Sequence, residues 1–252
     1  MTRVREAVIL MAGQGSRLRG SDQTILKPFV PVNGQALISY TLEALIHEGI
    51  STLNFVVGYE SERVIAQLKP LLPAGVSSSF IENRDWKKQN GVSVLSAAGY
   101  VSNPFLLAMS DHVFETAVLS RLLDSSVPSF LNVAVDRKLG AIFDLADAMK
   151  VRTRDDNIID IGKNLQKYDA IDTGMFICPL KIFSYLKQAQ SVSDASDCSL
   201  ADGVRLMARD GKVRAIDIGD GWWQDVDTPQ MLQHAERRIR KSRSCSAQSA
   251  LT

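Results

Sequence analysis

Cysteine is scarce and scattered: Cys178, Cys198 and Cys245 are the only three in 252 residues. An odd number with no C-x-x-C pair sets up neither a disulfide frame nor a zinc site, so reduced cytosolic thiols are expected. Charge of one sign is not in excess. Lys and Arg (29) balance Asp and Glu (28) to a net charge of +1. That balance gives no overall pull toward nucleic acid or an acidic membrane surface. No run approaches the roughly 18 consecutive apolar residues of a spanning helix. The N-terminus enters its first apolar run almost at once, leaving no room for a secretory signal. A cytoplasmic protein is therefore expected. No internal repeat and no second independent domain is visible.

Two familiar phosphate loops are also missing. The P-loop needs G-x-x-x-x-G-K-S/T, and nothing matches it. The dinucleotide fingerprint needs a third small residue where Leu18 stands. What is present is the stretch from 6 to 28, EAVILMAGQGSRLRGSDQTILKP. The apolar run 7–11 reads as a buried strand. It empties into Ala12-Gly13-Gln14-Gly15-Ser16, followed by Arg17 and, ten residues on, Lys27-Pro28. Glycine lacks a Cβ, so phosphate oxygens can approach the main-chain N–H groups. Arg17 adds a fork of donors and Lys27 a mobile point charge. Together they describe a polyphosphate cradle, whereas a bare G-x-G is more often only a tight turn.

Beyond this stretch, strands expected at 52–57, 76–82 and 105–109 alternate with helices at 36–47, 61–71 (capped by Ser61) and 92–101. Such alternation argues for a parallel sheet wrapped by helices. The polar stretch 83–91 lies at the end of a strand, where open α/β sheets bind ligands. The strand 105–109 ends at Ser110-Asp111-His112. Asp111 could cap a helix over 114–123 or, as a hard oxygen donor beside phosphates, bind magnesium. His112 reads as a structural neighbour of the site, not a general base. Strands at 131–136, 149–153, 158–161 and 170–178 suggest antiparallel additions forming a wall over a second substrate. A last strand at 212–218 precedes Trp222-Trp223-Gln224-Asp225-Val226-Asp227-Thr228-Pro229. Asp225 and Asp227 point to one side if this segment is extended, although Asp227 could merely cap the helix that follows. Basic residues at 237–243 and small polar ones beyond suggest a disordered tail.

The combination L-x-A-G-x-G-S-R-L followed by K-P resembles the signature of nucleotidyltransferases that join a nucleoside triphosphate to a phosphorylated sugar or alcohol. Further matches are narrower: Met109-Ser110-Asp111-His112-Val113-Phe114, Ala134-Val135-Asp136-Arg137, Ile161-Gly162-Lys163, Ile171-Asp172-Thr173-Gly174 and Trp223-Gln224-Asp225-Val226-Asp227-Thr228. In this order they resemble the CTP:inositol-1-phosphate cytidylyltransferases, over residues 5 to about 240. Asn90-Gly91-Val92-Ser93 also resembles the cytosine-contacting loop of related cytidylyltransferases. Two features depart from the pattern. The Ser21 to Ile25 loop is longer than in compact relatives, and no membrane-embedded CDP-alcohol phosphotransferase segment is expected among these residues.

The resemblance implies a single Rossmann-like three-layer α/β domain over residues 1–240, with a mostly parallel central sheet, a small antiparallel acceptor-binding extension and a tail at 241–252. It implies transfer of CMP from CTP to inositol 1-phosphate, with Mg2+ as cofactor. Ala12, Gly13, Gly15 and Ser16 would hold the triphosphate, with Arg17 and Lys27 catalytic. Asn90, Gly91 and Ser93 would read the base. Asp111, Asp225 and Asp227 would hold the metal, and Asp136, Lys163 and Asp172 would meet the acceptor. The partners implied are CTP and a small phosphorylated alcohol, with the product passed to a separate membrane phosphotransferase. Other readings are a phosphonate or phosphocholine-type acceptor, a sugar-1-phosphate transferase using UTP or dTTP, or a non-catalytic binding module.

Overall fold

In β1 (Glu6–Met11) every residue after the first is buried. The strand lies inside a sheet covered on both faces, which is why its apolar run is continuous instead of alternating. The structure, a computed structural model, describes residues 3–19, 24–193 and 195–249. Part of the Ser21 to Ile25 loop, and residues 250–252 of the expected tail, lie outside the described residues. After β1 come α1 (Ser16–Arg19), β2 (Pro31–Val32), β3 (Gln35–Ala36), α2 (Leu37–His47), β4 (Thr52–Val57), α3 (Ser61–Leu68) and β5 (Ser77–Glu82). Next are α4 (Asn90–Ser96), β6 (Phe105–Met109), β7 (His112–Phe114), α5 (Thr116–Ser125), β8 (Leu131–Asp136), β9 (Lys150–Arg154) and β10 (Asn157–Gly162). The chain continues through β11 (Ala170–Cys178), α6 (Ile182–Ser191), α7 (Leu200–Arg209), β12 (Val213–Asp217), β13 (Trp223–Asp225) and α8 (Pro229–Ser249).

The large sheet runs β5-β4-β1-β6-β11-β8-β12-β10-β9, and β9 returns to pair with β11. That last pairing, Ala170↔Val151 and Ile171↔Lys150, closes β11, β8, β12, β10 and β9 into a five-stranded barrel. β5, β4, β1 and β6 form a parallel wing attached through β11. Among the described residues the barrel's pairings are antiparallel except β8 with β12. The expectation of one open, three-layer, mostly parallel sheet with a small extension is therefore incorrect. Strand–helix alternation holds only as far as β6. The cause of closure is β11. Its C-terminal half pairs with β6, its register against β8 shifts between Asp172 and Phe176, and its first residues reach β9. Gly174, at φ +77°, sits in that shift, where a residue with a Cβ is disfavoured.

Alternate residues of β1 feed two apolar clusters. Val8 and Leu10 pack toward Val94 of α4, Leu186 of α6 and Val204 of α7. Ala7, Ile9 and Met11 pack toward Leu42 of α2, Leu68 of α3 and Leu119 of α5. A third cluster joins Leu18 in α1 to Val113, Val226 and Ala235, tying the glycine turn to the start of α8. α2 to α6 start without a side-chain cap. α7 starts with a reciprocal capping box, with Ser199 Oγ accepting from Asp202 N at 3.1 Å and Ser199 N donating to Asp202 Oδ2 at 2.8 Å. α3 departs from expectation, because its N-cap residue is Glu60, not Ser61, and no side chain caps it. The boundary expected at residue 240 falls inside α8, which is helical through Ser249. Among the described residues no helix is long and apolar enough to cross a membrane.

Candidate active site

Because β1 and β6 are parallel neighbours, with Ala7↔Leu106 and Leu10↔Met109, their C-terminal ends open on one edge. The glycine turn and Ser110-Asp111-His112 emerge there side by side, with Ser110 N donating to Leu10 O at 3.1 Å. The Trp223 to Asp227 stretch arrives through a short ladder the sequence did not reveal: β13 pairs with β7, placing Asp225 opposite His112. Val226 N then donates to Asp111 O at 2.8 Å. These elements surround a cavity of about 370 Å³ lined by Ala12, Gly13, Asn90, Ser93, Asp111, Lys163, Asp172, Asp225 and Asp227, all among the expected site residues.

Lys27 is not the mobile charge expected. It opens a 3-10 turn with Pro28 behind it and is buried. Its Nζ donates to Asp111 Oδ2 at 2.5 Å and also to Asp227 Oδ1. Burial works against the ammonium, but the two carboxylates outweigh it and hold the Lys27 pKa above its ordinary value. Burial likewise opposes the Asp111 charge, yet Lys27 and His112 keep this carboxyl well below the usual range. His112 Nδ1 lies 2.7 Å from Asp111 Oδ1, and its ring stacks on Trp223. Its imidazole is held above its usual pKa: burial opposes the charge, and the Asp111 hydrogen bond and charge outweigh it. Asp111 is not a helix cap, since α5 is preceded by Glu115. Asp227 is not one either, because Thr228 Oγ1 accepts from Met231 N at 3.2 Å at the start of α8.

The two glycines of the turn have different roles. A Cβ on Gly13 would meet nothing within 4 Å, so this residue borders open space. A Cβ on Gly15 would lie 2.5 Å from Lys27 Cβ, at a φ of +64°. Gly15 is thus required by the lysine. Ser16 and Arg17 begin α1. Arg17 donates to Asp147 Oδ2 at 3.1 Å and to Asp227 Oδ2 at 2.5 Å.

At the α4 end of the cavity, Asn90 Oδ1 accepts from Leu200 N at 2.9 Å, so its carbonyl is engaged and its amide N–H groups remain. Ser93 Oγ accepts from Asn83 Nδ2 at 2.9 Å. Gly91 packs against the backbone entering α7, where a Cβ would lie 2.6 Å from Cys198 O. Of the three acceptor candidates, Lys163 and Asp172 face the cavity and Asp136 does not. Asp136 is buried, accepts from Lys138 N at 2.7 Å and Trp223 Nε1 at 3.1 Å, and lines a neighbouring cavity of about 360 Å³. Asp172 accepts from Gly174 N at 2.8 Å, and burial raises its carboxyl to about 7.

Among the described residues no three His, Cys, Asp or Glu side chains group closely enough to hold a metal by themselves. Magnesium does not require that, since one or two carboxylates plus substrate phosphates suffice. Asp111 and Asp225 offer hard oxygen donors at one cavity wall. Burial raises the Asp225 carboxyl, and the charges of Asp227 and Asp111 add to this against the opposing charge of His112. Carboxylates that repel one another in this way fit a cation. Sequence reasoning missed Asp147, Trp86 and Lys88, all lining the same cavity. The last two lie in the polar stretch expected to cover the site. Asp147 carried no signal, because it belongs to no motif and lies 130 residues from its partner Arg17.

Known proteins match this chain along most of its length. It is 30% identical over 240 residues to the bifunctional IPC transferase and DIPP synthase of Aquifex aeolicus, covering 95% of this chain and 53% of that protein. The protein of the same description from Rubrobacter xylanophilus is 32% identical, covering 92% of this chain and 51% of that protein. This chain thus spans about half the length of these curated relatives. The solved inositol-1-phosphate CTP transferase of T. maritima superposes with a TM-score of 0.80 at 27% identity, covering 95% of this chain and 97% of that one. A putative glucose-1-phosphate thymidylyltransferase from Bacillus anthracis, at 20% identity and a TM-score of 0.78 over 93% of this chain and 95% of that one, shares the fold. Residues 7–146, which carry the glycine turn, α4 and Asp111, match the MobA-like NTP transferase domain, and the chain belongs to that family.

Proposed function

We propose that this chain transfers CMP from CTP to inositol 1-phosphate, giving CDP-inositol and pyrophosphate. The observation that carries the reading is the buried Lys27 held between Asp111 and Asp227 beside the open space at Gly13. It occurs in a fold shared end to end with the T. maritima inositol-1-phosphate CTP transferase. A phosphate oxygen of the acceptor attacks the α-phosphorus in line. The new P–O bond forms as the bond to the β-phosphate breaks, and pyrophosphate leaves. A phosphomonoester is already ionised near neutral pH, so the chain supplies positioning and charge neutralisation instead of a strong base.

The backbone from Gly13 to Ser16 and Arg17 hold the β- and γ-phosphates. Lys27 meets the α-phosphate, where charge builds. Asp111, with Asp225 or Asp227, would hold magnesium, which when bound neutralises phosphate charge. Lys163 and Asp172 face the acceptor. Asn90 offers its amide N–H groups to the carbonyl side of cytosine, and the remaining lone pair of Ser93 Oγ suits the amine. Residues 1–240 act as the transferase unit. A cytoplasmic location fits the buried, unpaired thiols of Cys178 and Cys198, and the product would pass to a membrane phosphotransferase.

The test is pyrophosphate release, crossing CTP, UTP and dTTP with inositol 1-phosphate, phosphocholine, a phosphonate and sugar 1-phosphates. CTP with inositol 1-phosphate should give the highest kcat/KM. An unmatched polar group in the base pocket costs about 1–3 kcal/mol, so CTP should exceed UTP by roughly ten- to a hundredfold. Ser93→Ala should narrow the gap. Equal values for CTP and UTP would overturn the cytidylyl assignment.

A further inference from the structure

Asp147 lies on the segment between Ala141 and β9, and this segment is anchored. Asp147 N donates to Asp144 Oδ1 at 3.3 Å, and the buried Lys150 donates to Ala146 O at 2.9 Å and Ala148 O at 3.2 Å. From that base the carboxylate divides its oxygens between two cations. Oδ2 accepts from Arg17 at 3.1 Å and Oδ1 from Lys163 Nζ at 2.6 Å. Arg17 follows the first strand of the wing, and Lys163 follows β10 of the barrel. The Lys163 hydrogen bond first, with Arg17 adding to it, keeps the Asp147 carboxyl below its ordinary range.

One oxygen to each of two cations is how an edge of a phosphate group would bind between them. We propose that Asp147 is an internal competitor for substrate phosphate: it pairs with Arg17 and Lys163 and is displaced from them when a phosphate enters. The assignment of that phosphate to CTP or to the acceptor rests on the function proposed above. The exchange is cheap in one direction and favourable in the other. All three side chains are substantially exposed, 59% for Arg17, 49% for Lys163 and 38% for Asp147. Ion pairs so accessible to water hold weakly. A phosphate group brings up to about two charges and three strong acceptor oxygens against one charge and two oxygens. The carboxylate keeps the two cations apart and oriented in the meantime, at the cost of affinity.

The test is calorimetric binding of inorganic pyrophosphate to the full chain at fixed magnesium. Asp147→Asn keeps the shape and removes the charge, and should tighten pyrophosphate binding by about three- to tenfold, with KM for CTP falling by a similar factor. Asp147→Glu keeps the charge and should stay near wild type. Unchanged or weaker pyrophosphate binding in Asp147→Asn overturns the proposal, as does equal tightening in both variants. The binding arm does not depend on turnover. Tighter pyrophosphate binding without cytidylyl transfer would sustain Asp147 and reject the proposed reaction, and transfer with unchanged binding would do the reverse.

Discussion

Lys27 serves the site and the fold at once. Its ammonium is the counter-charge for Asp111 and Asp227, and its stem fills the space a Gly15 Cβ would need. Lys27→Ala should therefore do more than slow catalysis. Turnover should fall by about two to three powers of ten, the cost of removing one donor from a preorganised site. Stability should also fall, by about 1–3 kcal/mol, because two partly buried carboxylates lose their partner. Urea unfolding alongside kinetics checks both, and an unchanged midpoint would show that the clamp does not contribute to the fold. Asp172 gives a pH signature. Burial raises its carboxyl to about 7, against the opposing Gly174 N–H hydrogen bond and the charge of His112. Below the ordinary carboxylate range both folded and unfolded forms are protonated. As pH rises toward 7 the unfolded chain ionises first, so stability is lost across that window and levels off above it. Asp172→Asn should remove this loss. Thermal midpoints of the two proteins should agree near pH 4 and separate in favour of the variant by pH 8.

At the scale of elements, the turn between β1 and α1 has to satisfy two neighbours, the open space at Gly13, where the proposed phosphates would enter, and the buried lysine at Gly15. The two alanine substitutions should fail differently. Gly15→Ala forces a Cβ into the left-handed region, costing about 1–2 kcal/mol, and displaces Lys27. A displacement near 1 Å is enough to lower kcat by roughly a hundredfold. Gly13→Ala intrudes only on open space and should raise KM for CTP with little loss of kcat. Steady-state kinetics of both variants decides it, and identical effects on kcat would mean that Gly15 does not act through Lys27. α4 shows the same economy: Asn90 uses its carbonyl to fasten the start of α7 while its amide group borders the cavity.

For the molecule as a whole, wing and barrel share β11, so neither has a core of its own. Phe176, 1% exposed on β11, packs in the cluster that also holds Val8 of the wing and Val133 of the barrel. Phe176→Ala should cost about 3–5 kcal/mol. Both halves should still unfold together. Tryptophan fluorescence, with Trp86 beside the wing and Trp223 beside the barrel, should give the same midpoint as far-UV circular dichroism. Two separate transitions would show that the closed barrel is an independent unit.

The amino-acid sequence by itself determined the local features. Runs such as 7–11, 52–57 and 105–109 became strands because both faces of the wing are buried. The glycine turn follows the end of a strand, where Gly15 takes a positive φ against Lys27, and Asp111, Asp225 and Asp227 were legible as carboxylates beside strands. Pairing was beyond its reach. Alternation of strand and helix says nothing of which strand lies beside which, so the pattern predicts an open sheet with a small extension where the chain closes a barrel. Closure depends on a register shift in β11 and on contacts from residues 150 and 151 to residues 170 and 171. Tertiary structure alone decided that Lys27 is buried, that Asp136 faces a different cavity from Lys163 and Asp172, and that Asp147 bridges Arg17 to Lys163. Each of these is a long-range electrostatic or packing outcome between segments far apart in the chain, set by how the wing and the barrel meet and carried by no local pattern.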